Sequence, residues 1–263
     1  MSTAALPVTT PDDARMSLME HLTELRDRIL KVVVALVVGM VIAFALYNQI
    51  FEILIGPYED IASRAGSNAL DPEGRLLQVD PLEGFAVRMK LALYGGIAIA
   101  MPVILWQLWR FVTPGLYPHE KRYAVPFLIS AMVLFVLGAG LAYYTLPRAL
   151  EFLVDIGGTD NFVTAFAPGK YFTLITYMML AFGIGFEFPI LLVFLQMAGI
   201  IGTAQLRQAR RYAIVGICVL VAVITPSGDP ISMLMLSVPM VLFYEVSIVI
   251  GRVLERRRSA AAA

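Results

Sequence analysis

Cysteine, histidine and charge are the scarce components of this 263-residue chain. A single cysteine, Cys218, excludes an internal disulfide and any cysteine-based metal cluster. The two histidines, His21 and His119, stand far apart at the edges of apolar runs. Both read as interfacial hydrogen-bonding residues, and no metal is expected. No HExxH, Walker A loop or GxGxxG occurs, which argues against ATP hydrolysis and dinucleotide binding. No Ser/His or metal constellation is present either, so neither catalysis nor a cofactor is expected. Charged residues make up only 15% of the chain, against about 25% in soluble domains. A water-soluble fold of this size could not cover its surface with so few. The formal net charge is zero, so no bulk field attracts nucleic acid.

Apolar residues fill the space that charge leaves. They make up 59% of the chain, and the mean hydropathy is +0.78. A spanning helix needs roughly 20 mainly apolar residues to cross a core of about 30 Å. Six stretches are candidates, at about 29–50, 85–109, 123–146, 171–198, 212–226 and 231–250. The predicted architecture is an all-α integral membrane protein with six transmembrane helices in one domain over 1–258. The tail 259–263, one serine and four alanines, is expected to be disordered. The fifth stretch is too short to cross a full-thickness core upright, and it forms a hairpin with the sixth around Pro226-Ser227-Gly228-Asp229-Pro230. No cleavable leader is visible, so the first apolar run is expected to remain as an anchor.

Basic residues set the orientation. With the N-terminus in the cytoplasm, fourteen lysines and arginines fall inside and six outside. Every short inside connection is basic, and the outside segments carry most of the acids. Both termini are therefore expected in the cytoplasm. Glu52 to Asp80 is then the one long outside loop. Asp80-Pro81-Leu82-Glu83 reads as a helix start with an Asp cap. A helix from Pro81 to Trp109 would reach about 43 Å, projecting outside and so accommodating Arg88 and Lys90. Pro102, Pro126 and Pro189 are expected to kink their helices. Trp106, Trp109 and Tyr117 suit the inner interface, and Tyr143, Tyr144 and Tyr171 the outer one. Before the first span, 16–31 is amphipathic, with Leu18, Leu22, Leu25 and Ile29 on one stripe. It is expected to lie on the cytoplasmic surface.

Several short motifs occur in a fixed order. They are His21-Leu22-Thr23-Glu24-Leu25-Arg26, Gly56-Pro57, Pro102 to Trp109, Leu116-Tyr117-Pro118-His119-Glu120-Lys121-Arg122, Phe182 to Pro189, and Thr225-Pro226 with Asp229. On these motifs, from about Met16 to Arg252, the chain resembles TatC, the integral-membrane core of the twin-arginine protein translocase. The resemblance implies a glove-shaped bundle with a concave face, short last two helices, and residence in the bacterial inner membrane. It implies the export of folded proteins driven by the proton-motive force. The implied partners are twin-arginine signal peptides, the single-span subunit TatA, TatB where one exists, further copies of the chain, and membrane lipids. The signal-peptide site maps onto Glu24 and Glu120, with Glu20, Arg26 and His119 beside them. Pro57, Pro102 and Pro189 map as structural positions. Two departures stand out: the Pro226-Ser227-Gly228-Asp229 turn is longer than the Pro-Pro-Asp form many members carry, and Met233 stands near where many carry Gln.

The residues also support this reading by their chemistry. Guanidinium groups bind carboxylates bidentately, so a peptide with two arginines calls for two acids. The plain alternative is that Glu24 pairs with Arg28 at i,i+4 and Glu120 with Lys121 or Arg122, as surface ion pairs worth about 0–1 kcal/mol. Glu187 is mid-span, on a stripe with Thr176, Leu180, Gly183 and Leu191. A carboxyl there faces a cavity or partner, or sits neutral and hydrogen-bonded within the bundle. Glu245 lies near Arg252 and reads as structural. Asp229 lies in a turn, where Asp commonly bonds locally. A second functional reading is a proton-coupled small-molecule transporter with Glu187 as the carrier. Against it, no inverted repeat is visible. The topology is directly testable by single-cysteine scanning with an impermeant maleimide in a Cys218→Ser background. Positions 205–210 should label only from the cytoplasm and 63–75 only from outside. Labelling of both from one side overturns the six-span arrangement.

Overall fold

The computed structural model describes residues 18–64, 76–78, 80–112, 124–157, 166–197, 199–225 and 228–262. Among them are nine helices and no strand. They are α1 (Leu18–Ala45), α2 (Tyr47–Arg64), α3 (Glu83–Val112), α4 (Ala124–Gly157), α5 (Pro168–Phe186), α6 (Phe188–Met197), α7 (Thr203–Gln208), α8 (Arg210–Ile224) and α9 (Pro230–Ala262). Five apolar stretches are long enough to cross a membrane: Leu22–Ala45, Glu83–Phe111, Val125–Ile156, Pro168–Met197 and Pro230–Arg256. The sixth, α8, has 15 residues, about 22 Å at the helical rise. It is the short fifth span that the sequence indicates.

Several expectations need correction. The amphipathic N-terminal stretch is not a separate surface helix, because α1 continues without a break from Leu18 to Ala45. No Pro or Gly interrupts the junction at Ile29 to Val32, so the two patterns run as one rod. The long outside loop begins as helix: after a single turn residue at Leu46, α2 carries the chain to Arg64. Its Leu54, Tyr58 and Ile61 are buried, a helical stripe overlooked beside Gly56-Pro57. The last helix is not short. α9 has 33 residues and runs on to Ala262, within the tail expected to be disordered, as the high helix propensity of alanine favours. Pro126 falls in the first turn of α4, where a missing N–H is harmless. Trp109 is 3% exposed, packed on Phe127 and Phe194 at 4.5 and 5.4 Å. Tyr171 is buried too, donating to the Leu54 carbonyl at 2.7 Å. Neither is an interfacial anchor. Tyr144 is exposed as expected, and its ring and hydroxyl hold Arg148.

Other expectations hold with detail added. Asp80 caps the second span, accepting the Leu82 N–H at 2.8 Å, and α3 proper begins at Glu83. Pro102, expected to kink its helix, lies inside α3, which runs on to Val112. Arg88 lies over the rings of Phe44 and Tyr47 at 4.6 and 4.8 Å, bracketing the turn at Leu46. Lys90 donates to Thr173 Oγ1 at 2.8 Å, and Glu83 accepts the Gly169 N–H at 2.7 Å. That places a carboxylate at the N-terminus of α5, where the helix dipole favours it.

Packing relies on close backbone approach. At α1/α3, a Cβ on Gly39 would stand 2.5 Å from the Gly96 carbonyl oxygen. At α4/α5, a Cβ on Gly138 would stand 2.5 Å from the Phe182 carbonyl oxygen. Between apolar helices such small-residue contacts supply the van der Waals attraction that hydrophobicity cannot. The main core joins α2, α3, α4, α5, α6, α8 and α9 through residues such as Tyr58, Leu91, Leu146, Phe172, Leu192, Val221 and Leu236. Gly39→Ala should lower the midpoint of thermal unfolding in detergent, since a backbone clash forces α1 off α3 at about 1–3 kcal/mol. Gly140→Ala should not, because nothing lies within 4 Å of its would-be Cβ.

Candidate functional site

Two carboxylates carry the local chemistry, one at the N-terminal end of α1 and one at the α5/α6 junction. Glu24 faces α3 and is partly buried. Arg28, one turn further on, donates through Nε at 3.1 Å and also through Nη2 to the same oxygen, Oε1. The Arg28 Nη1 lies 3.5 Å from Oε1 of Gln107 on α3. Glu24 Oε2 is buried and has no hydrogen-bond partner among the described residues. The i,i+4 pair noted from spacing is thus formed, but it satisfies only half of the carboxylate. Arg26 points elsewhere, pairing with Asp27 at 3.0 Å in an exposed bridge. Glu20 lies on α1, on the same helix and one turn before Glu24. His119 and Glu120 lie outside the described residues, so the second half of the expected acidic pair is not placed.

The fourth span is divided at Glu187, a turn residue between α5 and α6. Pro189 has no N–H to offer the Gly185 carbonyl. The Glu187 N–H bonds instead to Ile184 at 3.0 Å, a tighter turn than the α-helical one. The side chain is half-buried, and Oε1 is buried with no partner among the described residues. One turn away, Gly183 lies against the Phe135 ring. Leu180 and Ile190 pack on a cluster of Met101, Leu105, Ala131 and Phe135 from α3 and α4. Glu187 is therefore an acceptor set among apolar helices. Thr176 shares its face but stands eleven residues away, about 16 Å along the helix. Its hydroxyl is taken up by the Phe172 carbonyl, so the two polar groups do not meet. Thr176 instead lines an apolar cavity of about 320 Å³ with Ile50, Leu91, Tyr94 and Met179.

Asp229 behaves as a cap. It is 2% exposed, and its Oδ1 accepts the Ser232 N–H at 2.6 Å at the start of α9. Pro230 follows at the first helical position, where its missing N–H is harmless. Glu245 pairs with Arg210 of α8 at 2.5 Å, not with Arg252. Sequence reasoning missed Gln196. It is buried, donates to Ser247 O at 3.1 Å and accepts from Thr203 Oγ1 at 3.3 Å, locking α6 and α7 to α9. A polar residue in the apolar run 188–197 is the signal that pointed to it. Gln107 was missed as well, hidden between two tryptophans. Among the described residues no group of three His, Cys, Asp or Glu could hold a metal.

The comparisons with known proteins agree with this arrangement. The profile of the family described as Sec-independent protein translocase protein (TatC) matches residues 20–239. The chain belongs to the TatC family. A TatC from Aquifex aeolicus is 40% identical over 245 residues, covering 92% of this chain and 98% of that protein. One from Frankia casuarinae is 39% identical over 254 residues, covering 94% and 69%. One from Magnetococcus marinus is 37% identical over 249 residues, covering 94% and 88%. A crystal structure of the twin-arginine translocase receptor TatC superposes with a TM-score of 0.73 at 40% identity, covering 88% of this chain and 99% of that one. The TatC match takes in Glu24, Arg28, Gln107, Glu187 and Asp229 together, and with five long apolar helices and α8 the chain is a multi-pass membrane protein.

Proposed function

We propose that this chain is the receptor subunit of a twin-arginine translocase in the bacterial inner membrane. It binds twin-arginine signal peptides at its cytoplasmic face and exports folded proteins with TatA, and with TatB where one exists, at the expense of the proton-motive force. Both termini are cytoplasmic in this reading, following the loop-by-loop basic bias. The observation that supports it is the half-used carboxylate of Glu24 near the N-terminal end of α1, whose Oε2 is buried and makes no hydrogen bond among the described residues. An arginine side chain is the complementary donor. Glu120, in the next cytoplasmic connection, supplies the second acid, with Glu20 and His119 at the margin. Arg26 is engaged with Asp27 and frames the site without facing it. Glu187 serves a later, membrane-embedded step, as an acceptor for a polar group arriving between the helices. The small-molecule transporter reading would also use Glu187, but membership of a translocase family weighs against it.

Each charge-assisted bond to the arginine pair is worth about 1.5–3 kcal/mol. Glu24→Ala and Glu120→Ala should therefore each weaken precursor binding by roughly ten- to a hundredfold. In a double-mutant cycle with arginine→lysine precursors, their effects should be less than additive. Binding should fall as salt rises. Full precursor crosslinking after Glu24→Lys or Glu120→Lys would reduce that residue to a solvated charge.

Glu187→Ala should leave signal-peptide binding intact and impair transport. Glu187→Gln should keep more activity, since an amide preserves an acceptor and adds a donor. Equal and full transport by both variants, measured on inverted membrane vesicles, would make Glu187 a bystander.

A further inference from the structure

Arg28 has no part in the recognition proposed above, yet it holds the carboxylate on which that recognition rests. A guanidinium and a carboxylate ordinarily meet fork to fork, with one N–H on each oxygen. Here Nε and Nη2 of Arg28 both fall on Glu24 Oε1. The third nitrogen, Nη1, is drawn toward Gln107 Oε1 on α3, 3.5 Å away. The pair is shielded, with the Arg28 and Glu24 side chains 13% and 22% exposed. The result is a carboxylate oriented by an arginine that also reaches α3, while its Oε2 is buried and makes no hydrogen bond among the described residues.

We infer that Arg28 and Gln107 are positioning residues that reserve Glu24 Oε2 for an arginine of the arriving signal peptide, which binds beside Arg28 and does not displace it. This deepens the receptor reading and rests on it. The neighbouring cation also sets specificity. A lysine ammonium concentrates its charge at one point and would crowd Arg28, whereas a second guanidinium spreads its charge over a plane and is more weakly hydrated. Arg28 thus favours arginine over lysine at the position it guards.

The test uses the full-length protein in nanodiscs and two fluorescent signal peptides, one with Arg-Arg and one with Lys-Lys. Arg28→Gln should weaken Arg-Arg peptide binding about tenfold and leave Lys-Lys binding nearly unchanged, so that the arginine preference shrinks. Gln107→Leu, which leaves the ion pair in place, should give the same pattern at about threefold and keeps the inference testable should Arg28→Gln fold poorly. Arg28→Lys should restore only part of the preference, because it returns charge without the fork. Unchanged or tighter Arg-Arg binding in Arg28→Gln and Gln107→Leu overturns the inference, as does an equal loss for both peptides. Glu24→Gln separates the two levels. If it binds as well as the native protein, both the receptor reading and the inference fall. If it loses binding while the Arg28 and Gln107 variants do not, only the inference falls.

Discussion

Backbone polar groups that cannot reach water must bond within the protein, and this chain is built around that requirement. In a hydrocarbon medium each unsatisfied N–H or C=O costs several kcal/mol, which leaves helices as the only open-ended solution. The requirement is most visible where proline breaks the ladder. Pro57 inside α2 has no N–H for the Ile53 carbonyl four residues earlier. The Tyr143 hydroxyl, from α4, donates to that carbonyl at 2.9 Å. Gly56 leaves room for it, since a Cβ there would stand 2.8 Å from the Tyr143 oxygen. One residue along, the buried Tyr171 hydroxyl reaches the Leu54 carbonyl. Two tyrosines from two other helices thus fasten α2 to the bundle through main-chain oxygens. The Gly56-Pro57 pair, which reads in the sequence as a loop signal, is a docking notch in a helix.

The same rule gives the other helix ends their form. Asp80 and Asp229 each cap an N-terminus with a side-chain oxygen, and Gln205 reaches back to the Gly202 N–H at 2.9 Å to start α7. Glu255, from the end of α9, accepts the Thr203 N–H at 3.0 Å. Tyr244 donates to Leu206 O at 2.6 Å. α7 and the start of α8 are thereby held against α9 by bonds to backbone groups that a six-residue helix cannot satisfy alone. A short α8 is stable in this setting because α9 behind it is long and supplies the buried face that Ile217 and Val221 meet.

Which features were legible in the sequence follows from this division. Hydrophobic runs are long and uncharged, so the five long spans and the short α8 could be read directly, as could the Asp80 cap. Features set by tertiary contact could not. α2 was hidden because its stripe of Leu54, Tyr58 and Ile61 is interrupted by turn-forming residues whose cost is met from α4 and α5. Trp109 and Tyr171 suit an interface by composition, and only packing places them inside. At the site, the i,i+4 spacing announced the Glu24–Arg28 pair, but nothing in spacing could say that both bonds would fall on one oxygen. Gln107 gave no sign of its role, because an amide between two tryptophans has no helical partner in reach.

Five buried side-chain polar atoms among the described residues lack a hydrogen-bond partner: Glu24 Oε2, Glu187 Oε1, Ser232 Oγ, Ser237 Oγ and Arg252 Nε. The carbonyl freed by Pro57, the starts of α3, α7 and α9, and the buried amide of Gln196 do find partners, some of them from helices far away in sequence. Of the five, Glu24 Oε2 and Glu187 Oε1 are the carboxylate oxygens. Leaving such a group unmet works against stability, and unmet groups in native proteins concentrate where function needs them. A core glutamate kept only for structure would be placed as Gln196 is, with every polar atom engaged across α6, α7 and α9. Neither carboxylate is placed that way. Glu24 is pinned on one oxygen by Arg28 while the other is buried and unmet, and Glu187 sits at a tightened turn two residues before a proline. One carboxylate stands where a precursor first arrives in the proposed topology, and the other lies deeper, between helices that meet through Gly138, Gly183 and Phe135. Under the proposed function the two would meet successive demands of one cargo signal: first a cationic pair to be recognised, then a polar group to be accommodated within the membrane.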